Sequence, residues 1–159
     1  MDAPIIVAGA GPVGTCLAID AAMRGVEVII LEPRAAGDPP DAKCNTIAAR
    51  TMETFRRFGI ADQVRNAGLP DDYPTDTIYT TSLSGPELTR IVMPSRDERS
   101  TPGFHDSDWP TPEPMVRESQ LWLEPILREK LVSLPHVRFL PRTELTGYTQ
   151  DADGVTVHC

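Results

Sequence analysis

The chain has 159 residues, 40% of them hydrophobic and 24% charged, which is the composition of one folded globular domain and excludes a disordered tail or a fibrous repeat. The formal net charge is −8 and the basic residues form no concentrated stripe, which excludes a nucleic-acid surface. The sequence contains no run of about 18 apolar residues, so we predict no membrane-spanning helix. The three cysteines form no Cys-x-x-Cys pair, so we expect neither a disulfide framework nor a zinc site, and a reducing, cytoplasmic setting.

The first 32 residues predict a strand, a helix and a second strand. Residues 5–8 and 26–31 are near-continuous apolar runs, which are typical of strands buried on both faces of a parallel sheet. Between them, residues 12–24 place apolar side chains at helical spacing, and Gly25 supplies a residue that ends a helix. A helical crossover of this length between two buried strands predicts a βαβ unit.

The middle of the chain is rich in proline and predicts short elements among loops. We expect Thr46 to cap a helix that ends at Gly59, with a shorter helix following it. Residues 77–83 and 88–93 are rich in β-forming side chains and flank Ser84-Gly85, which predicts a hairpin. Residues 94–114 are expected to be mostly loop.

The last third of the chain predicts a helix, a short strand and a second hairpin. Ser119 is expected to cap a helix that runs to about residue 134 and that Pro125 kinks or restarts. Residues 137–140 are a strand candidate. Residues 144–150 and 155–159 alternate and flank Asp151-Ala152-Asp153-Gly154, which is a hairpin signal.

A glycine-rich turn follows the first strand and opens the first helix. The run Gly9-Ala10-Gly11-Pro12-Val13-Gly14 is a G-x-G-x-x-G in the position that a dinucleotide-binding turn requires. Gly9 permits the tight turn, Gly11 lets a pyrophosphate approach the backbone, and Gly14 lets the helix pack close to the strand. The helix N-terminus turns free N–H groups toward the anion. We therefore predict a cofactor-binding turn made of Gly9, Gly11, Pro12, Val13 and Gly14.

Glu32 stands at the end of the second predicted strand. A carboxylate there can accept two hydrogen bonds from an adenosine ribose, and it disfavours the 2′-phosphate of NADP. The turn and Glu32 together predict an α/β, Rossmann-like FAD/NAD(P)-binding domain over residues 1–159, with a parallel sheet, crossover helices and β-hairpins. The fingerprint alone does not distinguish FAD from NAD.

Three further segments resemble the flavoprotein aromatic hydroxylases of the para-hydroxybenzoate hydroxylase type. They are Glu32-Pro33-Arg34, residues 43–59 and residues 117–124. The resemblance implies that the chain is the N-terminal FAD-binding part of an FAD-dependent monooxygenase, which hydroxylates a phenol-like aromatic substrate with NAD(P)H and oxygen. It also implies FAD contacts from Arg34 near the adenosine, from Lys43 near the pyrophosphate or ribityl chain, and from Gln120, helped by Arg117, near the ribityl chain.

The chain departs from that family in what it lacks. Family members carry an Asp-Gly motif after the hairpin, a later Gly-Asp motif and a substrate-binding sheet domain, and we expect these elements to be missing from the 159 residues. The catalytic residues therefore remain unknown, and we expect association with a missing C-terminal half or self-association. An NAD-dependent or other flavin oxidoreductase and a non-catalytic nucleotide-binding module stay open as alternatives. His105-Asp106-Ser107-Asp108 is expected to form a turn and not a metal site.

Overall fold

The computed structural model describes residues 2–40, 42–103, 108 and 110–159. The chain divides into two compact units, of which the first contains Met1–Lys43 and Gln120–Cys159 and the second contains Cys44–Ser119. The turn predicted at residues 105–108 lies, apart from Asp108, outside the described residues. Within the described part of the chain, no helix has the length and apolar character needed to cross a membrane.

The first unit runs strand, helix, strand and then, after the second unit, helix and three strands; among the described residues the second unit contributes two strands and three helices. In chain order the elements are β1 (Ile5–Ala8), α1 (Pro12–Met23), β2 (Val28–Glu32), α2 (Ala49–Phe58), α3 (Ala61–Ala67), β3 (Thr77–Thr80), β4 (Glu87–Ile91), α4 (Arg96–Ser100), α5 (Gln120–Val132), β5 (Val137–Pro141), β6 (Gly147–Gln150) and β7 (Val155–His158).

A three-stranded parallel sheet of order β1-β2-β5 forms the centre of the first unit. Ile30 of β2 is in register with Val7 on one side and with Phe139 on the other. Every residue of β2 is buried, as expected for the central strand of a covered parallel sheet. The predicted strand is confirmed, although it begins two positions later than expected and includes Glu32.

Two helices of the first unit pack against each other beside this sheet. Helix α1 buries mostly small side chains, including Ala18 and Ala22, which lets it lie close to its neighbours. Gly25 follows it with a φ of +79°, which favours glycine, so the predicted end of α1 is confirmed. Helix α5 buries a leucine stripe and continues through Pro125 to Val132 instead of restarting there.

In the second unit, the helix predicted before Gly59 is confirmed but its predicted cap is wrong. Helix α2 buries Phe55 and Phe58, and Gly59 ends it in the left-handed conformation with a φ of +75°. The cap position is Ala48, which has extended backbone and offers no side-chain cap. Thr46 lies outside the helix, and its hydroxyl accepts a hydrogen bond from Arg117 instead.

Residues 94–114 were expected to be loop, and here the prediction missed a helix. Helix α4 begins after Ser95, whose side chain accepts from the Glu98 backbone N–H at 3.2 Å, while the Glu98 side chain accepts from the Ser95 N–H at 2.8 Å. This capping box satisfies two N–H groups at once and stabilises a single turn. Both predicted hairpins are confirmed, as the antiparallel pairs β3-β4 and β6-β7.

Candidate cofactor site

The glycine-rich turn between β1 and α1 has three glycines with three different environments. Gly9 has a φ of +97°, which side chains rarely adopt. A Cβ on Gly14 would lie 2.0 Å from the Gly9 carbonyl oxygen, so only glycine allows the helix this close to the turn. A Cβ on Gly11 would meet nothing within 4 Å, which shows that the backbone at Gly11 borders open space.

The end of β2 holds this turn in place. The Gly9 N–H donates to the Leu31 carbonyl at 2.8 Å, and the Ala10 N–H donates to Oε2 of Glu32 at 2.8 Å. The Thr15 hydroxyl donates to the Ala10 carbonyl at 3.0 Å from within the first turn of α1. Among the described residues no side chain caps this helix at Gly11, and its first turn carries no acid. A helix N-terminus of this kind is suited to an anion.

Glu32 is a buried carboxylate with three hydrogen bonds. Besides Ala10, it accepts on Oε1 from the Arg34 backbone N–H at 3.1 Å and from Arg34 Nε at 2.8 Å. Burial raises the pKa of Glu32, but the hydrogen bonds from Arg34 and Ala10 outweigh it and hold the pKa below its usual range. Because a carboxylate offers about four acceptor positions, about one remains open, where the sequence suggested two hydrogen bonds from an adenosine ribose.

Arg34 links Glu32 to helix α5. Its terminal nitrogen NH2 lies 3.3 Å from Oε2 of Glu124, and Nε2 of Gln120 donates to the other Glu124 oxygen at 2.6 Å. Gln120, Glu124 and Glu32 are all buried. The structure thus brings three predicted residues into one network that starts at the turn and ends on α5. Two carboxylates and one guanidinium give this network a net charge of −1.

Sequence reasoning assigned no role to Glu124, which connects two of the predicted residues. The local signal was a glutamate on the apolar side of a helix, between Leu123 and Leu127. Acids are seldom fully buried unless they are paired, so that position pointed to a partner. The partner Arg34 is distant in the sequence, and local pattern could not identify it.

The remaining predicted residues differ in exposure and in the unit that contains them. Pro12 is the first residue of α1, and Val13 is 86% exposed beside it. Lys43 is exposed and belongs to the first unit. Arg117 belongs to the second unit, where its guanidinium donates to the Thr46 hydroxyl at 2.5 Å and to the Thr75 carbonyl at 3.1 Å.

Another buried acid that was not singled out from the sequence is Glu118. It is 4% exposed, and both carboxylate oxygens lack a hydrogen-bond partner among the described residues. Burial raises its pKa to about 7. In the part of the chain that the structure describes, no group of three or more His, Cys, Asp and Glu side chains is arranged to hold a metal ion.

Comparison with known proteins identifies the cofactor of the family to which this domain is related. Residues 2–159 match the protein family described as FAD binding domain. The chain belongs to this family. The choice between FAD and NAD, which the fingerprint alone left open, is thereby decided for FAD, and the Rossmann-like fold class is confirmed.

Two curated relatives of this FAD-binding domain are named as monooxygenases. It is 32% identical over 156 residues to the FAD-dependent monooxygenase apdD of Emericella nidulans, covering 96% of this chain and 25% of that protein. It is 29% identical over 159 residues to a phenol 2-monooxygenase of a Pseudomonas species, covering 99% of this chain and 25% of that protein. The chain spans about a quarter of the length of these curated relatives.

A solved structure shows the same fold with a flavin. The rebeccamycin biosynthetic enzyme RebC with reduced flavin superimposes on this domain with a TM-score of 0.80 at 35% identity, over 98% of this chain and 28% of that one. The FAD-binding domain is therefore the part of the larger architecture that the 159 residues represent.

Proposed function

We propose that this chain holds FAD for a monooxygenase that hydroxylates a phenol-like aromatic substrate with NAD(P)H and oxygen. The observation that carries the proposal is the network from Ala10 through Glu32, Arg34 and Glu124 to Gln120. It joins the turn suited to a pyrophosphate to the start of α5, so one rigid set of donors and acceptors serves a long dinucleotide. The resemblance to phenol-hydroxylating relatives supports the substrate class.

The charge of the network favours FAD over a cofactor with an extra phosphate. Glu32 lies at the carboxyl end of β2, where a dinucleotide places its adenosine ribose. Arg34 is already paired with Glu32 and Glu124, so the pair of acids leaves an excess of one negative charge beside the ribose. A 2′-phosphate would be repelled there. NAD(P)H is therefore proposed as a co-substrate that binds elsewhere.

Each predicted contact residue has a proposed role. Gly11 admits the pyrophosphate, with Gly9, Pro12, Val13 and Gly14 shaping the turn around it. Glu32 and Arg34 recognise the adenosine end. Gln120 serves the ribityl chain, and the proposed cationic contacts to FAD are Lys43 and Arg117.

The flavin, when bound, supplies the oxygen chemistry, and the residues of this chain hold and orient it. Walls around the aromatic substrate are proposed to come from a further part of the protein, with which this chain associates. We also infer a cytoplasmic location, which the free thiols of Cys16, Cys44 and Cys159 support.

The test uses the protein as its gene encodes it. After gel filtration, we expect one oxidised flavin per chain, identified as FAD by chromatography of the material released on denaturation. NADH or NADPH oxidation and oxygen uptake are then measured with and without a panel of phenols. We expect at least one phenol to stimulate both and to yield a product with one added oxygen atom. Absence of bound flavin, or oxidation that no phenol stimulates, would refute the proposed function.

A further inference from the structure

Glu124 accepts a different donor on each of its two carboxylate oxygens. Gln120 lies one helical turn before it on α5, and the Gln120 Nε2 to Glu124 Oε1 distance is 2.6 Å. The other oxygen, Oε2, lies 3.3 Å from a terminal nitrogen of Arg34. Glu124 is 4% exposed and Gln120 is 8% exposed, so water competes little for these bonds. The carboxylate is therefore fixed in one orientation between a side-chain amide and a guanidinium.

This arrangement decides which way the Gln120 amide faces. A carboxylate accepts hydrogen bonds through its oxygens, and Oε2 of Glu124 faces the Arg34 guanidinium, which can only donate. The amide atom that contacts Glu124 must then be the nitrogen, which donates. The carbonyl oxygen Oε1 of Gln120 takes no part in this hydrogen bond and stays available as an acceptor.

We propose that Glu124 is a positioning residue that holds the Gln120 carbonyl oxygen ready to accept a hydrogen bond from a hydroxyl of the bound cofactor. This inference rests on the proposed function, in which Gln120 serves the ribityl chain of FAD. The proposed partner is the O–H of a ribityl hydroxyl acting as donor, whereas a phosphate, which only accepts, could form no hydrogen bond with this oxygen. Glu124 thereby directs Gln120 to the sugar-alcohol part of FAD and away from the pyrophosphate.

The substitution Glu124→Gln is expected to reverse the Gln120 amide without breaking the network. The amide introduced at position 124 keeps the hydrogen bond from Arg34 only if the amide oxygen faces the guanidinium. The amide nitrogen then faces Gln120. Gln120 must then turn its own oxygen inward to accept, and its nitrogen outward. All internal hydrogen bonds remain satisfied, while the group that faces the cofactor changes from acceptor to donor.

The reciprocal exchange restores the original pattern. In the double variant Gln120→Glu with Glu124→Gln, the introduced amide donates to the introduced carboxylate and still accepts from Arg34. The second carboxylate oxygen at position 120 again offers an acceptor to the cofactor. The single variant Gln120→Glu instead places two carboxylates in contact, which repels.

The experiment measures FAD and ADP affinity by titration calorimetry in the protein as its gene encodes it, freed of flavin. ADP shares the adenosine and pyrophosphate of FAD and lacks the ribityl chain. We expect Glu124→Gln and Gln120→Glu each to weaken FAD binding about fivefold or more, the loss of one hydrogen bond. For Glu124→Gln, ADP affinity should stay within about twofold, and the double variant should regain FAD affinity. The control Glu129→Gln removes the same charge from an exposed position of α5 and should change neither affinity.

The outcomes separate this inference from the proposed function. If the unchanged protein binds no FAD, the proposed function fails and the role of Glu124 fails with it. If the unchanged protein binds FAD but Glu124→Gln weakens FAD and ADP equally, weakens neither, or lowers the thermal stability as a general defect, the positioning role alone is wrong. Failure of the double variant to regain FAD affinity also overturns it.

Discussion

The contrast between Gly14 and Gly11 gives the sharpest test of the cofactor turn, because the same substitution should act on different properties at the two positions. At Gly14, the added methyl group of Gly14→Ala would lie 2.0 Å from the Gly9 carbonyl oxygen and 3.1 Å from a Val7 methyl group. At Gly11, the methyl group of Gly11→Ala would meet open space, and the φ of −69° is one that alanine adopts freely.

The magnitudes follow from these distances. To reach even 3.0 Å, α1 and the turn must separate by about 1 Å, and overpacking of this kind costs about 1–3 kcal/mol. The better helix propensity of alanine stabilises the folded variant by up to about 1 kcal/mol and offsets part of this cost. Gly14→Ala should therefore lower the free energy of unfolding by about 1–2 kcal/mol. Gly11→Ala should change it by less than about 1 kcal/mol, because a poorer cap and a less flexible unfolded chain oppose each other.

Urea unfolding measures the free energy of unfolding of each variant, and FAD titration measures its affinity for FAD. We expect Gly11→Ala to keep its stability and to lose FAD affinity by tenfold or more, since its methyl group takes space that the pyrophosphate needs. Gly14→Ala should lower both the stability and the FAD affinity. An unfolding free energy for Gly14→Ala equal to that of the unchanged protein would refute the close packing, and unchanged FAD affinity of Gly11→Ala would refute the phosphate role of the turn.

Three further predictions address single acids and the isolated chain. Glu32→Gln should weaken FAD binding by about 1–3 kcal/mol in a titration. The substitution should also remove a pH-dependent contribution to stability. Because the pKa of Glu32 is lower in the folded protein than in the unfolded chain, this contribution is present above the unfolded pKa of 4.5 and is lost as the pH falls through the folded pKa. Glu118→Gln should stabilise the protein above pH 7. Because burial raises the pKa of Glu118 to about 7, the stability of the unchanged protein should fall as the pH rises from 4.5 toward 7. Equal urea midpoints of the unchanged protein at pH 5 and pH 8 would contradict this. Residues 1–159 expressed alone should retain little FAD through gel filtration and hydroxylate no phenol, and stoichiometric FAD with hydroxylation by a monomer would show otherwise.

Local pattern was sufficient for the elements that build the turn. The apolar run at β1 and the glycines after it occupy fixed positions relative to each other, so periodicity and glycine spacing located the strand, the turn and the start of α1. Gly25 and Gly59 ended their helices as predicted, because the left-handed conformation favours glycine whatever surrounds it.

The misses arose where a distant residue decides what a side chain does. Thr46 has the chemistry of a helix cap, but its hydroxyl accepts from Arg117, far along the chain. Glu124 meets Arg34 across a separation of 90 positions, which no local spacing reveals. Helix α4 is a different case, since Ser95 and Glu98 form a recognisable capping box that the surrounding prolines obscured.

The first unit is assembled from two stretches of chain, with residues 44–119 inserted between them. The entropy of closing such a loop grows only with the logarithm of its length, so doubling the insert would cost the first unit about 0.6 kcal/mol. Changes in the length of the insert can therefore accumulate at little thermodynamic expense to the first unit, while Arg34 and Glu124 continue to meet.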